Sequence, residues 1–132
     1  MKDCLIFNNK IEVRKSPVHG WGVFAKDDIK AEEILEENYF LVIPMAPNES
    51  SSIFIDHRYN FPRTDPKNQV IPFGFSCIYN HSDNPNAAWE TDEENQIFVF
   101  KAIKDIKKDE EIFTYYGGSN YWNDGRSNTK II

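Results

Sequence analysis

Apolar residues in this chain come in short runs broken by turn formers, with little of the three-to-four spacing of an amphipathic helix. Ile11 and Val13 alternate with Glu12 and Arg14, the period of a half-buried strand. Val23-Phe24-Ala25 follows a glycine-rich turn, and Ile34-Leu35 and Tyr39 to Ile43 predict two further short strands. Ile97 to Phe100 and Ile112 to Tyr116 are nearly all apolar or aromatic, which predicts strands buried on both faces, joined by a connection over Ile103 to Glu110. Cys77-Ile78-Tyr79 reads as the end of another buried strand, after which Asn80 to Asn86 are turn formers. The fold class predicted from this pattern is mostly β.

The stretch 44–72 breaks the pattern. Pro44, Pro47, Pro62 and Pro66 lie in it, Pro72 ends it, and Ser50-Ser51-Ser52 adds a polar run. It reads as a variable insertion with one short helix near Ile53 to Tyr59; loops of this length in a small domain tend to be functional or disordered. Residues 123–132 read as a mobile tail.

With 132 residues the chain suits a single domain, with a core over about 11–122. Its formal net charge of −6 argues against a general nucleic-acid binder, which needs clustered Lys and Arg, and suits a basic partner. Glu32-Glu33, Glu36-Glu37 and Asp92-Glu93-Glu94 are acidic runs that could attract a basic tail or simply be solvated. Cys4 and Cys77 have no CxxC partner, so a structural zinc is not expected and both are expected as free thiols. No apolar run approaches a membrane span and no signal-peptide pattern stands at the start, so a cytoplasmic or nuclear location is expected.

Three polar constellations remain. Gly20-Trp21-Gly22 sits just before a strand, where glycine permits close approach to the main chain; a tight hairpin turn explains it equally well. The GxGxxG spacing and the following helix of a dinucleotide site are lacking. Asn80-His81 sits at the end of an apolar run, where polar side chains must be paired with protein or ligand; an Asx turn is the ordinary account. Glu110-Glu111-Ile112 leads through Thr114-Tyr115-Tyr116 to Gly117, with Tyr121-Trp122 beyond, and an aromatic edge would account for it.

In this order and spacing, G-x-G, NHSxxPN and E-E-I-x-x-x-Y-G together resemble the SET domain family of protein-lysine methyltransferases over about Ile11 to Trp122. The likeness is greatest to the minimal viral histone lysine methyltransferase and similar stand-alone SET proteins, which share a start like Val13-Arg14-Lys15-Ser16-Pro17. The resemblance implies several small β-sheets around a pseudoknot with few short helices. It implies S-adenosylmethionine as cofactor, with the main chain of Gly20, Trp21 and Gly22 around its methionine part. Asn80 would bond its amino-acid end, the His81 backbone would meet the adenine edge and Trp122 would pack on the adenine. Tyr116 matches the catalytic tyrosine. Tyr59, Trp89 and Thr114, with Tyr116, would line the channel for the target lysine.

The family reaction moves a methyl group in line from sulfonium to a neutral lysine amine. Free lysine has a pKa of about 10.4, so a narrow apolar channel must lower it by desolvation; alignment supplies much of the remainder. No metal and no strong base are required. A Cys-rich post-SET zinc segment is lacking, so the tail or a second subunit would close the site, and a homodimer is expected. A histone tail is the favoured substrate. A ribosomal or translation protein, or a catalytically inactive peptide-binding module, is the alternative.

Overall fold

A computed structural model describes residues 2–42, 59–62 and 68–115. Among these residues there are ten strands and no helix. The strands are β1 (Ile11–Lys15), β2 (Trp21–Ala25), β3 (Ile34–Asn38), β4 (Phe40–Val42), β5 (Tyr59–Phe61), β6 (Asn68–Pro72), β7 (Asn80–His81), β8 (Ala87–Asp92), β9 (Ile97–Ala102) and β10 (Glu111–Thr114). They form three small sheets, in the orders β1-β2-β10-β7, β3-β9-β8 and β4-β6-β5. The mostly β class follows from the pattern; the predicted short helix near Ile53 to Tyr59 lies outside the described residues except for Tyr59, which opens β5.

β9 shows why its sequence is so apolar. It is the central strand of its sheet, antiparallel to β3 on one edge and to β8 on the other, with Phe98, Phe100 and Ala102 on its fully buried face and Val99 and Lys101 half-buried on the other. Phe98 and Phe100 have no exposed surface. Phe98 lies within 5.7 Å, centroid to centroid, of Phe40, Tyr59, Phe61 and Trp89, which joins the β4-β6-β5 sheet to the β3-β9-β8 sheet through one aromatic cluster. The connection over 103–110 runs as expected, pinned by a bridge between Ile29 and Ile106, both buried.

Four expectations need correction. The insertion is not a plain loop: β5 and β6 pair antiparallel within it, and β6 carries β4 on its other side. β8 was not expected, because Ala87-Ala88-Trp89-Glu90-Thr91-Asp92 blurs the alternation; it is held by a register with β9 along its full length. Cys77 and Ile78 are not strand. They belong to a turn in which the Ile78 N–H donates to the Phe75 carbonyl (2.8 Å), and the strand is Asn80–His81 itself.

The last correction concerns Glu36 and Glu37, which are buried rather than part of a solvated acidic run. Glu37 takes Lys2 Nζ at 2.7 Å and the Ile6 N–H at 3.0 Å, so β3 continues three residues past Leu35 because distant groups satisfy its polar side chains.

β10 is the strand that builds the site. It pairs antiparallel with β2 through Glu111↔Phe24 and Ile112↔Val23, and parallel with β7 through Phe113↔Asn80 and Thr114↔His81. The glycine turn, the Asn-His pair and the start of the Tyr-Gly stretch are thereby neighbours in one sheet. The crossing expected after Tyr116 lies outside the described residues.

Candidate functional site

Ser16 starts the site. Its N–H donates to the Gly20 carbonyl (2.7 Å), and its Oγ accepts from the N–H groups of Val18 (3.0 Å) and His19 (3.2 Å). A serine that organises its own turn in this way fixes the path of 16–20. Gly20 takes a φ of 51°, which glycine adopts without strain. The turn delivers Trp21, 48% exposed, with Lys15 Nζ 5.9 Å from its ring centroid.

Beneath this turn sits Glu111. Its Oε1 accepts from Ser16 Oγ (2.7 Å) and its Oε2 from Asn80 Nδ2 (2.8 Å). Asn80 is buried, and the same Nδ2 reaches the carbonyls of His19 (2.9 Å) and Trp21 (3.3 Å). Two amide hydrogens shared among three protein acceptors leave Oδ1 as the remaining capacity of Asn80. The amide is oriented by the protein, and among the described residues no donor meets its acceptor oxygen. Gly22 explains itself at this point: a Cβ there would lie 2.3 Å from Glu111 Oε2 and 3.0 Å from Asn80 Nδ2.

Asn86, the last residue of the NHSxxPN stretch, works on the opposite side of β10. Its Nδ2 donates to the Glu111 carbonyl (2.9 Å), and its Oδ1 accepts from the Phe113 N–H (2.7 Å). One side-chain amide therefore satisfies two β10 backbone groups that the two-residue β7 does not. Ser16, Asn86 and Glu111 were not among the expected site residues. The motif spacing contained the last two, but their roles depend on contacts such as that between Ser16 and Glu111, 95 residues apart.

The remaining expected residues fall into two groups. His81 lies with Asn80 and the glycine turn, and Thr114, expected beside the channel aromatics, is paired with His81 across β7 and β10. The His81 ring lies 5.2 Å from that of Tyr115, its Nε2 is 2.9 Å from Asp83 Oδ1, and buried Thr114 is its register partner. Tyr59 and Trp89 meet edge to face at 5.0 Å on the β5 and β8 side. The two groups are linked by the turn over 73–79, since the Tyr59 hydroxyl donates to the Ser76 carbonyl (2.5 Å) and the turn leads directly into Asn80. Tyr116 and Trp122 lie outside the described residues.

Glu36 and Tyr79 are perturbed groups of this region. Burial pushes the Glu36 carboxyl above its ordinary value, against the opposing bonds from Tyr79, Phe75 and Asn38. Burial, and then the neighbouring Glu36 charge, hold the Tyr79 phenol well above its usual value, so it stays a donor. A raised carboxyl pKa in the folded state contributes stability that is complete below the unfolded value of about 4.3 and is lost as pH rises through the raised folded value. Glu36→Gln lacks that titration. Its stability relative to wild type is therefore expected to improve as pH rises above the ordinary carboxylate value and to level off once the raised folded value is passed, as measured by urea unfolding at each pH; a difference independent of pH would contradict this.

Among the described residues no group of three or more His, Cys, Asp or Glu is placed to hold a metal ion. What the site offers instead is an oriented amide oxygen, the main chain of a glycine turn and an exposed indole.

The SET domain family model matches residues 20–117. The chain belongs to this family, and it is a protein-lysine methyltransferase. It is 25% identical over 128 residues to a Schizosaccharomyces pombe protein named histone-lysine N-methyltransferase, H3 lysine-37 specific, covering 96% of this chain and 86% of that protein. The crystal structure of a Plasmodium falciparum protein, described as a candidate histone methyltransferase, matches with TM-score 0.66 and 31% identity over 86% of this chain and 97% of that one. The Neurospora SET domain protein DIM-5, a histone lysine methyltransferase, shares the fold at TM-score 0.60 and 20% identity, over 83% of this chain and 52% of that one.

Proposed function

We propose that this enzyme takes its methyl group from S-adenosylmethionine and transfers it to a lysine ε-amine in a basic protein tail, with a histone tail as the favoured substrate. The observation that carries the cofactor assignment is the pinned amide of Asn80, whose Nδ2 is consumed by His19, Trp21 and Glu111. An acceptor oxygen fixed beside a glycine turn fits an ammonium group next to a carboxylate, as at the amino-acid end of that cofactor. Gly20, Trp21 and Gly22 would hold that end through the main chain, and the His81 backbone and Trp122 would hold the adenine.

When bound, the cofactor supplies an electrophilic methyl group on a sulfonium. The chain's own part is alignment and exclusion of water. Tyr59, Trp89 and Thr114 would surround the lysine stem and lower its pKa by desolvation, so that the amine arrives neutral. The Tyr116 hydroxyl would orient the reacting groups as a hydrogen-bonding partner. The histone assignment is supported by the names of the relatives and by the chain's net charge of −6. A homodimer belongs to the same reading, and sedimentation equilibrium tests it.

Calorimetric titration with S-adenosylmethionine tests the cofactor assignment. Asn80→Ala removes the bond to the ligand and leaves the Glu111 carboxylate and two carbonyls short of a donor, each such loss costing about 1–3 kcal/mol. The dissociation constant is expected to rise at least about 30-fold, which is roughly 2 kcal/mol. Equal affinity in the two proteins would remove Asn80 from the cofactor site. Binding with transfer to a ribosomal protein but not to histones would keep the reaction and replace the substrate. Absence of binding in the wild type would favour a peptide-binding module.

A further inference from the structure

Glu36 belongs to neither group of site residues, yet it is the centre of a buried polar cluster that touches the approach to both. Its side chain has no exposed surface. Oε1 accepts from Asn38 Nδ2 (2.9 Å) and the Phe75 N–H (3.0 Å), and Oε2 accepts from the Tyr79 hydroxyl (2.5 Å). Asn38 Nδ2 also donates to Ser76 Oγ (2.7 Å), and that hydroxyl donates to the Phe73 carbonyl (2.7 Å). The turn over 73–79 is moulded to the carboxylate. Gly74 has a φ of 71°, and a Cβ there would stand 2.3 Å from Glu36 Oε1 and 2.4 Å from Asn38 Oδ1.

Two routes run from this cluster to Tyr59. The polar one passes through Asn38 and Ser76, whose carbonyl accepts from the Tyr59 hydroxyl. The apolar one passes through Tyr79, which stacks on Phe100 at 4.9 Å and 10°, while Tyr59 meets the other side of the aromatic cluster with Phe100 at 6.0 Å and 79°. Asn80, one residue beyond Tyr79, has its own three acceptors, in the 16–20 turn, on β2 and on β10, and does not depend on this cluster for its orientation. A well-packed apolar side chain at position 36 would avoid the cost of burying a carboxyl. What an apolar residue would lose is directional control of the turn.

We propose that Glu36 is a positioning residue for the target-lysine channel, fixing the 73–79 turn so that the hydroxyl and ring of Tyr59 are held for the lysine side chain. The role of Tyr59 in that channel rests on the function proposed above. Gln at position 36 keeps an acceptor for Asn38 and Phe75 but offers an N–H to the Tyr79 hydroxyl, whose oxygen can accept it while the phenol hydrogen loses the acceptor it has in wild type. The perturbation is directed at the turn and leaves the core volume unchanged.

The test has a structural and a kinetic readout on the full chain. With 3-fluorotyrosine incorporated and Tyr59 assigned through Tyr59→Phe, Glu36→Gln is expected to shift the Tyr59 fluorine signal and leave that of Tyr115 in place. An unmoved Tyr59 signal would overturn the proposal whether or not the protein is active. In methyl transfer to an H3-tail peptide, Glu36→Gln is expected to lower kcat/KM about tenfold with the S-adenosylmethionine dissociation constant within twofold of wild type. The loss should be absent in a Tyr59→Phe background, since both changes act on one element. Additive losses, or a lower Tm with unchanged kinetics, would overturn it in favour of a purely structural carboxylate. A wild type without transfer would instead overturn the functional reading and the channel role with it.

Discussion

Gly22→Ala is expected to weaken S-adenosylmethionine binding by about 100-fold or more, roughly 2.7 kcal/mol. The added methyl carbon would stand 2.3 Å from Glu111 Oε2. Glu111 cannot swing aside at low cost, because Ser16 Oγ holds one oxygen and Asn80 Nδ2 the other. Moving it releases Asn80 and loosens the 16–20 turn, which are the two elements that would shape the proposed cofactor site. Circular dichroism and calorimetry on the purified variant separate the outcomes. A folded protein with lost binding is the expected result; wild-type affinity would mean that the Glu111–Asn80 pair is not part of the cofactor site.

Phe98→Ala is expected to have the largest effect on stability, about 3–5 kcal/mol. Phe98 has no exposed surface and contacts Phe40, Tyr59, Phe61 and Trp89, so its removal opens a cavity where two sheets meet. For a chain of this size the melting temperature should fall on the order of 15 °C. Two of the four contacts are proposed channel residues, so transfer activity should fall at temperatures where the variant is still folded. Thermal melts and assays at low temperature check both; a drop of only a few degrees would mean that the cluster repacks around the gap.

The strands that could be read from sequence are those whose apolar residues alternate or run together locally. β1 shows through the alternation at Ile11 and Val13, and β9 and β10 through apolar runs, although Val99 and Phe113 are half-buried rather than covered as a strand buried on both faces would be. β3 was cut short because Glu36-Glu37-Asn38 looks like a solvated edge. Its burial depends on Lys2, Phe75 and Tyr79, which no local pattern can place beside it. β7 was hidden for the opposite reason. Asn80 and His81 look like a turn after a strand, whereas the parallel pairing with β10 makes them the strand and Cys77-Ile78 the turn.

The site was legible where its chemistry lies in contiguous motifs. Gly20 to Gly22 and Asn80-His81 do converge, through β10. Tyr59 and Trp89 do meet. Ser16, Asn86 and the buried Glu111 were missed as site members because each acts through a contact fixed by topology rather than by spacing. Glu36 was misjudged because charge in a sequence carries no sign of the donors that will surround it.

The most direct test of the central claim is mass spectrometry of core histones incubated with the enzyme and S-adenosylmethionine, run in parallel with Asn80→Ala and Tyr116→Phe. The expected result is methylation confined to defined lysines, dependent on the cofactor and reduced at least tenfold by each substitution. Lysine methylation of equal extent with all three proteins, or none with the wild type on any basic protein supplied, would contradict the assignment of transfer to this site.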